Sequence, residues 1–210
     1  MRAFVYVDGF NFYYCAVKGT PYKWLNYLSL ASRAFPKDEI AGVRYFTARL
    51  TPYPDDPLQP QRQETYLRAL KTIPSLTIHE GRYLRHKARM RLVNPPKVGP
   101  QTCEVWKTEE KGSDVNLASY LLLDGIRGKY ELAIVLTNDS DLVEPVRMVR
   151  DELGLKVAVL NPQRDKKKTS WSLKQVSTFY LRVRESALAT CQFPDELRDD
   201  QGPFHKPPEW

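Results

Sequence analysis

Short, uninterrupted apolar runs alternate with helical patterns along this chain. Ala133-Ile134-Val135-Leu136 passes straight into Thr137-Asn138-Asp139-Ser140-Asp141. Leu142, Val143, Val146, Val149 and Leu153 then recur at helical spacing. An apolar run without polar alternation suits a strand buried on both faces, as in a parallel sheet covered by helices. The run at 3–7 ends likewise in an acid, Asp8, followed by Gly9, Phe10 and Asn11; Gly9 permits a tight turn. Further strands are expected at 40–49, 76–80 and 155–160, with helices in 12–35 (broken near Gly19-Thr20-Pro21) and at 61–71. Another helix begins at Ser113 or Asp114, presents Val115, Ala118, Leu121, Leu122 and Ile126 as its apolar face, and ends at Gly128. The proline-rich stretch 51–60 reads as a loop. The alternation predicts an α/β fold of three layers, a central, mostly parallel sheet with helices on both faces. Ligands of such sheets sit beyond the carboxyl ends of the strands, where Asp8, Asp139 and Asp141 fall.

Two stretches depart from this pattern. Residues 82–108 read as an insertion: Arg82-Tyr83-Leu84-Arg85-His86-Lys87-Ala88-Arg89-Met90-Arg91 holds five Arg or Lys and no acid. Asn94-Pro95-Pro96 and Gly99-Pro100 mark a loop, and 102–108 alternates enough for an edge strand. A solvated surface hairpin accounts for the insertion. Tyr83 and Trp106 add a nucleic-acid reading, because aromatic rings stack on bases while cations meet phosphates. Beyond Asn161-Pro162, Arg164-Asp165-Lys166-Lys167-Lys168 is a basic loop, 171–182 suits strand or helix, and 193–210 is proline-rich and charged. The chain divides into a domain at 1–162 and a C-terminal extension at 163–210. The extension is expected to be partly packed and partly flexible, with Phe204 and Trp210 able to pin it.

Composition adds a partner class. The 210 residues allow one domain with a substantial core. A net charge of +7 and a pI of about 9.2 favour polyanions, nucleic acid first. Cys15, Cys103 and Cys191 form neither a CxxC knuckle nor a disulfide framework, so a reducing cytosol is the simplest compartment. No apolar segment approaches the ~20 residues that span a bilayer, and Asp8 comes too early for a signal peptide. A cytoplasmic protein with no membrane partner is expected.

Each acid alone has a structural explanation. Asp141 and Glu144 fit a capping box with Pro145 in the first turn. Ser113 or Asp114 fits an N-cap, and Asp8 can hydrogen-bond within its own turn. Yet Asp8 and Asp139 both end buried strands and should emerge on one edge of the sheet. Asp114 begins the helix that feeds the Asp139 strand, and spacing alone leaves its edge open. Converging carboxylates without a basic partner repel one another, and a divalent cation removes that cost. Oxygen ligands without His or Cys favour Mg²⁺ or Mn²⁺ over zinc, ions that activate water and stabilise charge on a phosphodiester. The chain has no GxGxxG turn, no GxxxxGKS/T loop and no GxSxG elbow. His79, His86 and His205 fall in no metal-ligand spacing.

Three motifs in order carry a resemblance: Val7-Asp8-Gly9-Phe10-Asn11-Phe12-Tyr13-Tyr14, then Glu110-Lys111-Gly112-Ser113-Asp114-Val115-Asn116-Leu117-Ala118, then Thr137-Asn138-Asp139-Ser140-Asp141-Leu142. Together they resemble the NYN domain, a group of the PIN-like nuclease superfamily that includes the LabA-like proteins. The resemblance covers about residues 3–162. The ending, Cys191-Gln192-Phe193-Pro194 through Lys206-Pro207 and Trp210, looks like that of bacterial members. It implies a Rossmann-like PIN fold and a Mg²⁺- or Mn²⁺-dependent ribonuclease acting on RNA. Carried over by position, Asp8, Asp114, Asp139 and Asp141 would hold the metal and, with Asn11, form the catalytic group. The resemblance thus places Asp114 with the other acids. Ser113, Thr137, Asn138 and Lys111 become candidates for substrate contacts, and Arg82, Arg85, Lys87, Arg89 and Arg91 for the RNA backbone. Many relatives carry a further acid past the middle Asp, in an Ala-x-Asp pattern. Here Ala118-Ser119-Tyr120 puts Tyr120 at that position, which implies a weak second metal and low activity. The rivals are an RNA-binding or regulatory module with a degenerate site, and a nuclease acting on DNA. Oligomeric state stays open, a homo-oligomer included.

Overall fold

The computed structural model describes residues 1–52 and 56–210; part of the expected loop at 51–60 lies outside them. The chain begins with β1 (Arg2–Asp8), α1 (Gly9–Phe12) running into a π-helical turn (Tyr13–Val17), α2 (Tyr27–Ala34), β2 (Glu39–Ala48) and α3 (Gln59–Lys71). It continues through β3 (Leu76–Arg91), β4 (Thr102–Lys111), α4 (Ser113–Ile126), β5 (Leu132–Leu136), α5 (Val143–Asp151) and β6 (Lys156–Asn161). Then come α6 (Trp171–Val176), β7 (Phe179–Arg182), α7 (Glu185–Thr190), β8 (Glu196–Asp199) and β9 (Gly202–His205). Among the described residues, seven strands form one sheet in the order β4-β3-β2-β1-β5-β6-β7. Its neighbours run parallel except for β3 and β4. The expected α/β architecture is the one the chain adopts.

Alternate residues of the central strands point to opposite faces, and each face meets a helical layer. Val5, Val7, Ile134 and Leu136 share a core with residues of α2 and α3. Tyr6, Ala133, Val135 and Val157 pack with Leu117 and Leu121 of α4 and with Val146 and Val149 of α5. Every residue of β5 is buried, which is why its sequence shows no polar alternation.

The buried stripe of α4 runs Leu117, Leu121, Asp124. Val115 and Ile126, expected on its apolar face, are each 69% exposed. The phase differs because the third member of the stripe is charged. Asp124 is fully buried and accepts hydrogen bonds from Arg44 Nε (2.5 Å) and Nη2 (3.0 Å) and from Tyr6 Oη (3.0 Å). Lys129 Nζ also lies 3.0 Å from it. Burial opposes its ionisation, but the hydrogen bonds from Arg44 and Lys129 hold its carboxyl below the usual range. This cluster anchors α4 to β1 and β2.

β3, expected to stop at Glu80, instead continues through Gly81 and pairs with β4 in a long antiparallel hairpin. A Cβ on Gly81 would lie 2.4 Å from Glu110 Oε1 and 2.6 Å from the Lys111 carbonyl oxygen. The glycine therefore serves close approach of the returning strand rather than a chain break. Residues 171–182 hold both a helix and a strand, and the strand, β7, pairs parallel with β6. Near the end of the chain, Phe193, Phe204 and Trp210 surround Trp24, with ring centroids 5.8, 6.5 and 6.3 Å away. Among the described residues no helix is long and apolar enough to cross a membrane.

Removing the Asp124 carboxylate leaves Arg44 buried without its partner, so Asp124→Ala is expected to cost about 3–5 kcal/mol in urea unfolding. Val115→Ala, on the exposed face of the same helix, should change stability by less than about 0.5 kcal/mol.

Candidate metal centre

β1 and β5 lie side by side and parallel, with Val7 opposite Leu136. The next residues, Asp8 and Thr137, therefore emerge side by side at the carboxyl edge, where Asp8 still pairs with Phe46 of β2. Thr137 Oγ1 donates to Asp8 Oδ2 at 2.8 Å, and Asp8 Oδ1 accepts the Asn11 backbone N–H at 3.1 Å, capping α1. Thr137 Oγ1 in turn accepts from the Asp139 N–H at 3.0 Å. Asp139 Oδ1 accepts from the Asp141 N–H at 3.0 Å and caps the short 3₁₀ turn Ser140–Leu142. Asn11 Oδ1 accepts the Asn138 N–H at 2.9 Å, tying the two strand ends together. Gly9 meets a packing demand rather than a turn. Its φ is not positive, and a Cβ there would lie 2.6 Å from the Phe46 carbonyl oxygen and 2.7 Å from the Tyr45 ring.

Two expected caps are replaced by others. At α4 the cap position is Gly112, with φ of 100°. Glu110 does the capping, accepting from Ser113 N at 3.1 Å and Ser113 Oγ at 2.7 Å. Neither Ser113 nor Asp114 is needed as a cap. The Asp141–Glu144 box does not form: Asp139 caps the turn instead, and Glu144 pairs with Arg147 at 2.6 and 3.0 Å.

One carboxylate oxygen each from Asp8, Asp114 and Asp139 lies within 4.8 Å of the others. They face a cavity of 320 Å³ also lined by Phe10, Asn11, Tyr14, Cys15, Tyr83, Glu110 and Ser113. Among the described residues no Lys or Arg lines it. Burial pushes Asp8 up to about 7; hydrogen bonds from the Asn11 N–H and Thr137 oppose this, and the charges of Asp114 and Asp139 add to it. Asp114 is raised by burial and then by Asp139, Glu110 and Asp141. The Cys15 thiol is raised by burial and by Asp8 and Asp139. Unpaired carboxylates at this separation suit a hard divalent cation, since ligand oxygens around an octahedral Mg²⁺ stand ~3–4 Å apart.

The remaining sequence candidates are distributed as follows. Asp141 is exposed; its carboxylate is not one of the three gathered groups, but its charge reaches Asp114. Thr137 is buried behind Asp8 and Asp139. The Asn138 side chain bonds Asn161 Nδ2 (2.6 Å), Ser170 N (2.8 Å) and the Lys168 carbonyl oxygen (3.0 Å), so it clamps the following loop. Tyr120 sits about 120° around α4 from Asp114. Its ring lies 4.5 Å from the Arg44 guanidinium carbon and 4.1 Å from the His79 ring. Its side chain therefore belongs to the Arg44 cluster, and the three-acid group stands without it. Glu110, Phe10, Tyr14 and Cys15 line the cavity although sequence reasoning did not select them, and Tyr83, expected only as a stacking ring of the insertion, lines it too. The available signal for Glu110 was its place four residues before Asp114, in the second motif.

Alternation along β3 and β4 sorts the basic residues of the insertion. Tyr83, Arg85, Lys87, Arg89 and Arg91 share one face with their partners Glu110, Thr108, Trp106, Glu104 and Thr102. Since Tyr83 and Glu110 line the acidic cavity, this face continues from it. Arg82 and Lys111 pair with each other on the opposite face. Trp106 is 60% exposed, with the Arg85 guanidinium 4.9 Å and Lys87 Nζ 5.7 Å from its ring centroid. Lys87 also pairs with Glu104 at 3.1 Å. Tyr83 meets Phe10 edge to face at 5.6 Å.

The family described as NYN domain matches residues 2–183. The 6-hydroxy-3-succinoylpyridine 3-monooxygenase HspA of Pseudomonas putida (strain DSM 28022 / S16) is 31% identical over 243 residues, an alignment covering 100% of this chain and 75% of that protein. A solved structure, of a protein of unknown function from Vibrio parahaemolyticus RIMD 2210633, is similar with a TM-score of 0.54 at 15% identity. That likeness covers 88% of this chain and 93% of the other, and it speaks for the fold alone.

A pH dependence follows from Asp8, whose folded value of about 7 lies above its ordinary 3.8. Folding favours the protonated form, so the stability Asp8 contributes is fully present below 3.8 and is lost as pH rises to about 7. Thermal unfolding without divalent ions should show this loss, and Asp8→Asn should flatten it. Because a cation favours the ionised carboxylates, Mn²⁺ should raise the melting temperature more at pH 8 than at pH 5.

Proposed function

Because the chain belongs to the NYN domain family, within the PIN-like nuclease superfamily, we propose that it is a metal-dependent ribonuclease working at the Asp8–Asp114–Asp139 group. The carrying observation is the gathering of three carboxylates in a cavity lined by no described cation. These three residues would hold Mg²⁺ or Mn²⁺, which supplies charge for phosphoryl oxygens and an activated water when bound. Thr137 and the Asn11 N–H fix the orientation of Asp8, and Glu110 adds negative charge that favours cations in the cavity. Asp141, at the exposed margin, is suited to orienting water. The three motifs support a LabA-like placement within the family.

The hairpin gives substrate a path. Arg85, Arg89 and Arg91 offer phosphate contacts on the face that leads to the acids, and the exposed Trp106 ring offers a stacking surface. Arg82 and Lys111, on the other face, have the weaker claim as substrate contacts. A second reading, an activity on a small heteroaromatic compound, is favoured by the pseudomonad monooxygenase relative and its full-length match to this chain.

Purified protein with Mn²⁺ or Mg²⁺ should cleave RNA, and Asp139→Asn should reduce cleavage to background; equal turnover by both proteins would sink the nuclease reading. Matched RNA and DNA strands in the same assay decide the substrate class, and RNA binding without turnover would favour a regulatory module. Replacing Arg85, Arg89 and Arg91 with Ala together should lower the slope of log affinity against log salt by about 2, at ~0.7 per lost phosphate contact. Arg82→Ala should leave that slope unchanged.

A further inference from the structure

A second cavity, of 240 Å³, adjoins the acidic one. Phe10 and Tyr14 line both. The inner wall is aromatic: Tyr27, Tyr45, Tyr66 and Trp210 follow one another with ring centroids 5.5, 6.4 and 5.6 Å apart. Tyr66 Oη is already engaged, donating to the Leu25 carbonyl oxygen at 2.7 Å. The wall is therefore preassembled and offers mainly ring surface. The polar groups of the lining are of another kind. Arg62 is held by Asp56 at 2.5 and 2.6 Å. Lys23 lies 5.9 Å from the Trp210 ring and pairs with no acid among the described residues. Gln59, Gln63 and Glu209 add further polar groups to the lining. The volume falls below the ~300–1,000 Å³ usual for drug-sized ligands. It suits one or two flat rings that present apolar faces to the wall and polar atoms to these groups.

We propose that this cavity is a base-binding subsite: it takes one planar nitrogen heteroaromatic group of one or two fused rings, the base of a nucleotide whose phosphate lies at the acidic centre. Phe10 and Tyr14 form the shared wall, so a ring seated against them directs its substituent toward Asp8, Asp114 and Asp139. Placing a strand there rests on the nuclease reading; binding of the ring does not. Aromatic stacking tolerates any base, and the polar lining supplies any preference.

Fluorescence titration in metal-free buffer tests the subsite with adenosine, guanosine, cytidine and uridine, which bring no phosphate to the acids, and with nicotinate as a free heteroaromatic ring. Saturable binding of at least one nucleoside is expected. Tyr14→Ala, at a side chain 54% exposed and so safe for folding, should weaken it about ten-fold, the scale of one lost stacking partner. Gln59→Trp, which fills the cavity from α3, should abolish it. Asp139 does not line this cavity; Asp139→Asn should lose cleavage while nucleoside binding persists, so failure of the nuclease reading is distinguishable from failure of the subsite. No saturable binding, binding of nicotinate alone, or binding that Gln59→Trp leaves unchanged would overturn the proposal.

Discussion

The parallel pairing of β1 with β5 is the constraint on which the acidic edge depends. Its register releases Asp8 and Thr137 side by side, and two residues later the chain must accommodate Asp139 as well. Like charges at such range oppose one another, and burial makes the opposition stronger. The sheet overrides it because β5 is buried along its whole length, so the strand cannot retreat without exposing apolar surface. Local hydrogen bonds from Thr137 and the Asn11 N–H ease the conflict without removing it, since Asp8 remains raised to about 7.

The third acid arrives by a longer route. Asp114 stands in the first turn of α4, and α4 is fastened ten residues later by Asp124, buried against Arg44 and Tyr6. At its start, Glu110 holds Ser113 while Gly81 lets the returning strand close in. A charge cluster at one end of the helix thus supports an uncompensated charge at the other. The family membership gives this arrangement a chemical meaning.

How much of this was readable beforehand follows from the range of the interactions. β1, β5 and β6 announce themselves because burial on both faces erases polar alternation, a purely local signal. The shared edge of Asp8 and Asp139 follows from the same signal. The position of Asp114 does not, because it depends on α4 being tied to β1 and β2 by residues far apart in sequence. The apolar face of α4 was misphased for that reason: Asp124 counts as polar in a pattern and as core in the fold. The strand expected at 76–80 runs on through Gly81 because Glu110 and Lys111, which close in on that glycine, return from about thirty residues later in the chain. The gathering of Phe193, Phe204 and Trp210 around Trp24 likewise joins segments some 170 residues apart, as does the 2.8 Å hydrogen bond from Trp24 Nε1 to Pro194.

The hairpin carries a parity rule. From Gly81 outward its two strands form an unbroken ladder from Arg82–Lys111 to Arg91–Thr102, and side chains change face at every step. Adding one residue within β3 would turn every residue beyond it over, carrying the outer arginines to the other face and Met90 to theirs. Length variation is therefore tolerable in the connection at 92–101, or in pairs within the strands, whereas a single insertion between 82 and 91 keeps the outer arginines on their face only if a β-bulge absorbs it.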